Sequence, residues 1–224
     1  MARHRAPQPG VVAVVFALLF LAGLTLVTNV FDSTHFPSPY QPVSEIEGYF
    51  ATRMTRVAWC AALQFGSMIA LGVYVATMTS RLRFHGLRVA GVDIALFGGI
   101  AACVMTMVAT AGQWALSRPG VADNGPIARA IYNVVFAAGG PGYTVPLGLL
   151  CAGIAVPSLF SGLLSRRLAW AGIVLGGIGA LSSLSLVVPG ALPLVPLTRF
   201  PAFLWFAWVG FRMPASRGDT VAAA

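Results

Sequence analysis

Long apolar runs separated by short charged punctuation fill this chain from end to end. Between Arg5 and Asp32 no residue is charged, and Val11–Val30 alone would cross about 30 Å of hydrocarbon at about 1.5 Å per residue. The "ARHR" start carries the charge of a signal peptide. The following "LTLVTNVFDS" offers no small-x-small cleavage site, so this run is expected to be an uncleaved first span. Further runs predict spans near residues 57–78, 90–112, 127–160, 168–188 and 194–211, the last two parted by the proline-rich joint "PGALPLVP". The expected fold is all-α: one membrane domain over residues 1–224, an integral bundle of six transmembrane helices.

The fourth run does not fit one straight helix. Ile127–Phe160 is 34 residues, about 51 Å if helical, well beyond the bilayer core. Within it "GGPGYTVP" places Pro141, which cannot donate to the carbonyl of Ala137, and Gly140, which a following proline pushes out of the helical region. Pro146 frees the carbonyl of Gly142 in the same way, and the Thr144 hydroxyl is positioned to serve the chain near Gly140. Asn124 is a cap candidate and Pro126 suits a helix start. The pattern predicts an outer half-helix with Ile127, Ile131, Val134, Val135 and Ala138 on one face. A break at Gly139–Gly142 follows, then the span proper, about 143–160. Broken helices line transporter sites, and prolines also kink membrane helices that bind nothing.

Composition makes lipid the solvent. Of 224 residues 58% are apolar and only 9% charged, with mean hydropathy +0.83, where soluble domains run near one quarter charged. The net charge of +8 is dispersed between apolar runs, the pattern of membrane flanks rather than of a nucleic-acid surface. All fourteen basic residues are arginine, which with the Ala, Gly and Val content suggests GC-rich bacterial coding and a bacterial inner membrane. With six spans and the N-terminus inside, Arg3, Arg5, Arg81, Arg83, Arg88, Arg166, Arg167, Arg212 and Arg217 lie inside. Arg53, Arg56, Arg118, Arg129 and Arg199 lie outside. That bias favours both termini in the cytoplasm. Asp32, Glu45, Glu47 and Asp123 then fall outside, and "FDSTHFPSPYQPVSEIEGYFAT" is expected to be an irregular outer loop leading into an interfacial turn.

Small residues recur at helical spacing: Ala169, Gly172, Gly176, Ala180 and Ser183 in the fifth span; Ala95, Gly98 or Gly99, Ala102, Thr106 and Ala109 in the third; Gly148 and Ala152 in the fourth. Such rows let helix backbones approach, within the bundle or at a seam with a second copy or a membrane partner. Trp59, Trp114, Trp170, Trp205 and Trp208 fall toward span ends, as interfacial anchors do. The segments "RLRFHGLRVAGVDIALFGGIAA" and "LLSRRLAWAGIVLGGIGA" share a basic turn followed by AG…GGIxA, from a duplicated hairpin or from apolar low complexity.

Catalytic patterns are missing. Cys60, Cys103 and Cys151 are odd in number, form no CxxC and sit in apolar runs, as packing residues do. The histidines are His4, His35 and His85. His35 stands near Asp32, Glu45 and Glu47 without a ligand spacing. HExxH, GxSxG and a phosphate loop are all absent from the sequence. No enzymatic activity, cofactor or metal is expected. Two charged residues inside spans are more informative. Asp93 lies five residues past Arg88, about 8 Å inside the inner boundary, within reach of an intramembrane pair with Arg88, or with Arg166 or Arg167. Between Arg199 and Arg212 only twelve residues intervene, about 18 Å, so the last helix must begin before Arg199. Its guanidinium then points toward a polar cavity or a carboxylate, or snorkels to the interface. Arg199, Arg129, Tyr132, Asn133, Gly139, Gly140, Pro141, Gly142 and Tyr143 form the candidate cavity of a solute-binding or transport protein. A structural or accessory membrane protein is the other reading.

In order along the chain, "RLRFHG…IALFGGIAA", "VVFAAGGPGYTVPLGLLCAGIAVPSLF", "RRLAWAGIVLG" and "LTRFPAFLWFAWVGFRMP" resemble the bacterial membrane family catalogued as domain of unknown function 4386. The resemblance runs from the first span to Met213. It implies a helical protein of about six spans in the inner membrane and carries no activity or catalytic residues.

Overall fold

The computed structural model describes residue 4 and residues 6–28 and 36–216. Arg3, Arg5, Asp32, His35 and Arg217, and the last two residues of the first predicted span, lie outside them. The described chain is helical: α1 Pro9–Thr25, α2 Val43–Phe84, α3 Ala90–Leu116, α4 Gly125–Gly139, α5 Pro141–Ser161, α6 Arg166–Leu181 and α7 Leu194–Arg212. Two 3-10 turns, Ser182–Leu186 and Pro189–Ala191, join α6 to α7. Five stretches are long and apolar enough to cross a membrane: Val43–Phe84, Ala90–Leu116, Gly125–Ser161, Arg166–Leu186 and Pro189–Arg212. The first predicted span is a shorter apolar helix of 17 residues.

Helix α2 corrects the expected outer loop. It starts at Val43, not near residue 57, and bends at Arg53, whose φ of −127° and ψ of 20° leave the helical region. Before the bend Ile46, Tyr49 and Phe50 are buried while Ser44, Glu45, Gly48 and Thr52 are exposed. The charges that suggest a loop are the wet face of an amphipathic turn.

Helix α5 is the centre of the bundle, packed against α3, α4, α6 and α7. Its seam with α3 is backbone on backbone. A Cβ at Gly98 would stand 2.6 Å from the Pro146 carbonyl, and one at Gly153 would stand 2.5 Å from the Ala95 amide. The register continues across the break between α4 and α5: Gly112 faces Val135, Gly139 faces Ala109, Gly142 faces Met105 and Gly91 faces Pro157. The break divides α4 from α5 without parting them from α3. Both segments lie antiparallel along the same helix.

The small-residue rows are used inside the bundle. On α6, Gly172 meets Ala155 and Trp205, and Gly176 meets Ala152 and Gly148. The next member is Gly179 against Gly148 and the Thr144 carbonyl, whereas Ala180 is exposed. Seven residues from Gly172 complete nearly two turns and return to the same face; eight overshoot it.

The hairpin turn at Gly86 (φ 88°) and the turn at Gly162 (φ 69°) lie at one end, since α3 starts where α5 finishes. That end carries Arg81, Arg83, Arg88, Arg166, Arg167 and Arg212, and it also brings His4 to the segment of Met213, Pro214 and Ala215. Buried Arg81 donates to the Met213 carbonyl (2.9 Å), His85 Nε2 lies 2.9 Å from the Pro214 carbonyl, and the His4 amide donates to the Ala215 carbonyl (2.9 Å). Asp93 pairs here with Arg83 at 2.7 Å, in place of Arg88. The Gly86 turn folds the last turn of α2 back over the first turn of α3, while Arg88 stands exposed beyond it. With side chains 49% and 74% exposed, this is a surface pair of the bundle rather than a buried one.

The outward surface is apolar: Leu18, Ile69, Phe97, Phe160 and Leu204 are all exposed, which a water-soluble surface does not sustain over so many helices. Trp59 and Trp114 are exposed toward one end, Trp170 and Trp208 toward the other, as two interfacial belts would be. Trp205 departs from the expectation. It is buried against Gly172 and donates its Nε1–H to the Leu168 carbonyl at 2.8 Å.

Candidate functional site

The site grows from the break. Gly140, with φ −85° and ψ −109°, leaves the helix as a residue before proline must. A Cβ there would stand 2.6 Å from the Phe136 carbonyl, so glycine is required by close approach. The amides of Tyr143 (3.2 Å) and Thr144 (3.0 Å) and the Thr144 hydroxyl (3.1 Å) all donate to the Gly140 carbonyl. The hydroxyl thus serves the break as its sequence position implies. In an unbroken helix the Tyr143 amide would serve Gly139. Here it has moved on by one residue, and the Gly139 carbonyl accepts from Arg199 Nη2 instead.

Arg199 sits in the second turn of α7, which begins before it as the span length requires. The side chain is half-buried, and its Nε is sealed from solvent without a hydrogen-bond partner. Its guanidinium carbon lies 5.2 Å from the Tyr143 ring centroid and 5.5 Å from that of Phe20, a cation between two aromatic faces. A cation at the C-terminus of α4 also meets the negative end of that helix dipole.

Beside it lies a cavity of about 160 Å³. Of the residues expected there, Arg199, Tyr132, Gly139, Gly140 and Tyr143 line it together. Arg129 and Asn133 are on the exposed face of α4, and Pro141 and Gly142 are behind the wall, the latter against Met105 and the Ala137 carbonyl. The expected apolar face of α4 is split between the inside and the outside of the bundle. Ala128, Tyr132, Val135 and Ala138 are buried, while Ile127 and Val134 are exposed. In lipid the apolar residues can face outward and the phenol inward.

The cavity also holds polar residues outside the set expected from the sequence. Gln64 of α2 and Gln113 of α3 are buried on its wall, with Thr106 and Thr110. The two hydroxyls are already engaged with the Ala102 and Thr106 carbonyls at 2.9 Å each. A glutamine inside an uncharged apolar run was the available signal, since such groups are expensive in a membrane interior. Among the described residues, the cavity wall contains no carboxylate.

Over the cavity runs a strap, residues 36–42. Phe36 is part of the lining and packs on Tyr49 (5.4 Å). The Tyr132 hydroxyl donates to the Pro37 carbonyl at 2.5 Å, and the Tyr40 hydroxyl to the Ser185 carbonyl at 2.8 Å. The strap is thus fastened to α4 on one side and to the 3-10 turn after α6 on the other.

The described residues define a helical bundle with five helices long and apolar enough to cross a membrane and a largely apolar pocket beside an arginine. No family model, no curated protein and no solved structure matches the chain.

Proposed function

We propose that this chain is a multi-pass integral membrane protein, with both termini cytoplasmic, that binds a small solute in the cavity between α1, α3, α4 and α7 and passes it to or from the outer side. One observation carries the reading: Arg199 is held against a cavity whose wall offers it no described carboxylate. A charge at such depth costs about 2.5–3.5 kcal/mol or more without a partner, and structural need alone calls for a neutral donor at Gly139. The orientation is supported by the basic residues of the two bundle ends together with Arg3, Arg5 and Arg217 of the sequence. The docking alternative finds less support, because the glycine rows that would offer a seam are occupied by α3, α5 and α6 themselves.

The test is accessibility. In a background with Cys60, Cys103 and Cys151 changed to alanine, Ala109→Cys places a thiol on the cavity wall. A small membrane-impermeant thiol reagent applied to the outer side should label it, and the same reagent applied inside should not. Absence of labelling from both sides would remove the cavity from function.

A further inference from the structure

We infer that the ligand is a small monoanion with an aromatic-sized apolar body, a monocarboxylate of about the dimensions of benzoate. The inference rests on the cavity reading above and adds the chemistry of what fills it.

Charge comes first. Among the described residues Arg199 is the single cation on the wall, and no carboxylate accompanies it. It spends one donor on the Gly139 carbonyl and keeps a sealed Nε without a partner. A guanidinium has five N–H donors and matches the geometry of a carboxylate. One negative charge balances the site; two would leave a net anion in a low-dielectric interior, at the cost that a buried unpaired charge carries.

Size comes next. A dry cavity of about 150 Å³ holds benzene, and this one measures about 160 Å³. The body of the ligand meets the rings of Phe20, Phe36, Phe136 and Tyr143. Polar readout beyond the arginine is limited to the Gln64 and Gln113 amides and the Tyr143 hydroxyl, because the two threonine hydroxyls are donating to their own helix. Gln113 already faces Cys60, whose thiol lies 3.9 Å from its Oε1. A sugar or a zwitterion would bring more hydrogen-bonding groups than such a wall can satisfy. The Tyr143 hydroxyl, fully buried and without a partner, lies beside the same arginine and is a further donor for an anion.

The experiment uses the full chain, purified in detergent or nanodiscs, with binding read by calorimetry and by the shift in thermal unfolding. The probes are benzoate, its neutral counterpart benzyl alcohol, the dianion terephthalate, and inorganic phosphate. Wild type should bind benzoate tightest. Arg199→Gln should weaken benzoate by about tenfold to a hundredfold, the range of one charge-assisted hydrogen bond, and leave benzyl alcohol unchanged. The comparison among probes on wild type alone decides the matter if that variant does not fold. Equal affinity for benzoate and benzyl alcohol would overturn the anion inference while leaving a solute cavity in place. Terephthalate or phosphate binding as tightly as benzoate would overturn the single-charge or the apolar-body part. Benzoate binding untouched by Arg199→Gln would overturn the arginine's role. If none of the four probes binds, the cavity reading falls with the inference.

Discussion

Gly153→Ala and Gly177→Ala make the same chemical change in two helices of this bundle, and the structure separates them. At Gly153 a methyl group would stand 2.5 Å from the Ala95 amide, 2.7 Å from the Gly91 carbonyl and 2.8 Å from Ala95 Cα. All three atoms are backbone, so no rotamer change relieves the clash. Carbon atoms pack at about 3.5–4.0 Å, so α3 and α5 must part by about 1 Å along their shared seam. Overpacking of this kind costs about 1–3 kcal/mol. At Gly177 nothing lies within 4 Å, and a helical Gly→Ala change at a relaxed site gains about 0.5–1 kcal/mol. The two variants should thus differ by about 1.5–4 kcal/mol. At about 2–4 °C per kcal/mol for a chain of this size, their midpoints should lie about 3–16 °C apart, with wild type between them. The protein carries its own reporter. Cys60, Cys103 and Cys151 are all buried, so a thiol-reactive fluorophore signals unfolding on heating. Equal midpoints for the two variants, or a Gly153→Ala midpoint at the wild-type value, would refute the close approach of α3 to α5.

Four further outcomes are expected. Arg199→Gln without ligand should change stability by no more than about 2 kcal/mol. The charge-assisted bond it loses, about 1.5–3 kcal/mol, is offset by removing a membrane-interior charge of about 2.5–3.5 kcal/mol; thermal unfolding without added anion checks this. Tyr132→Phe should unfasten one side of the strap and raise the labelling rate of a cysteine at Ala109, with little change in midpoint. Asp93→Asn should alter stability by no more than about 1 kcal/mol, as an exposed pair does, measured in the same thermal assay. The last concerns His4, whose pKa is held below its usual value by partial burial and by the neighbouring Arg81 and His85. The unfolded chain therefore binds the proton more readily, and stability should fall as pH drops through the ordinary histidine range, near 6.5. His4→Gln should flatten that part of the profile.

Much of the architecture was legible in the sequence because membrane helices announce themselves by length and by apolar runs. The limits of α7, the break at Gly140 before Pro141, and the small-residue rows holding Gly176, Gly148 and Ala152 all follow from local rules, although which row meets which does not. The start of α2 was hidden because Glu45, Glu47, Arg53 and Arg56 look like solvated loop, and only packing shows that Ile46, Tyr49 and Phe50 share a buried face. The apolar face of α4 is split because in lipid Ile127 and Val134 can face outward while Val135, Ala138 and Tyr132 stay inside. Five of the nine proposed cavity residues meet on one wall, since the break and Arg199 are both defined by span length. Gln64 and Gln113 were missed because each is one polar position in a long apolar run, and its partners come from other helices. Arg83 displaced Arg88 as the partner of Asp93 through the geometry of one turn, which no spacing rule contains.

The chain's first helix is finished by its last. Phe16 and Phe20 of α1 close on Phe203 of α7 at 4.8 and 5.2 Å, and Gly10 touches Gly210. The carbonyl of Gly139 likewise takes its donor from α7. During synthesis, therefore, α1, already packed on α2, lacks its contact with α7, and the α4–α5 joint carries an unserved backbone group, until α7 has been made. A chain truncated before Leu194 should be inserted yet handled by the cell as unfinished, because α7 supplies both the donor for Gly139 and the Phe203 ring on which Phe16 and Phe20 close.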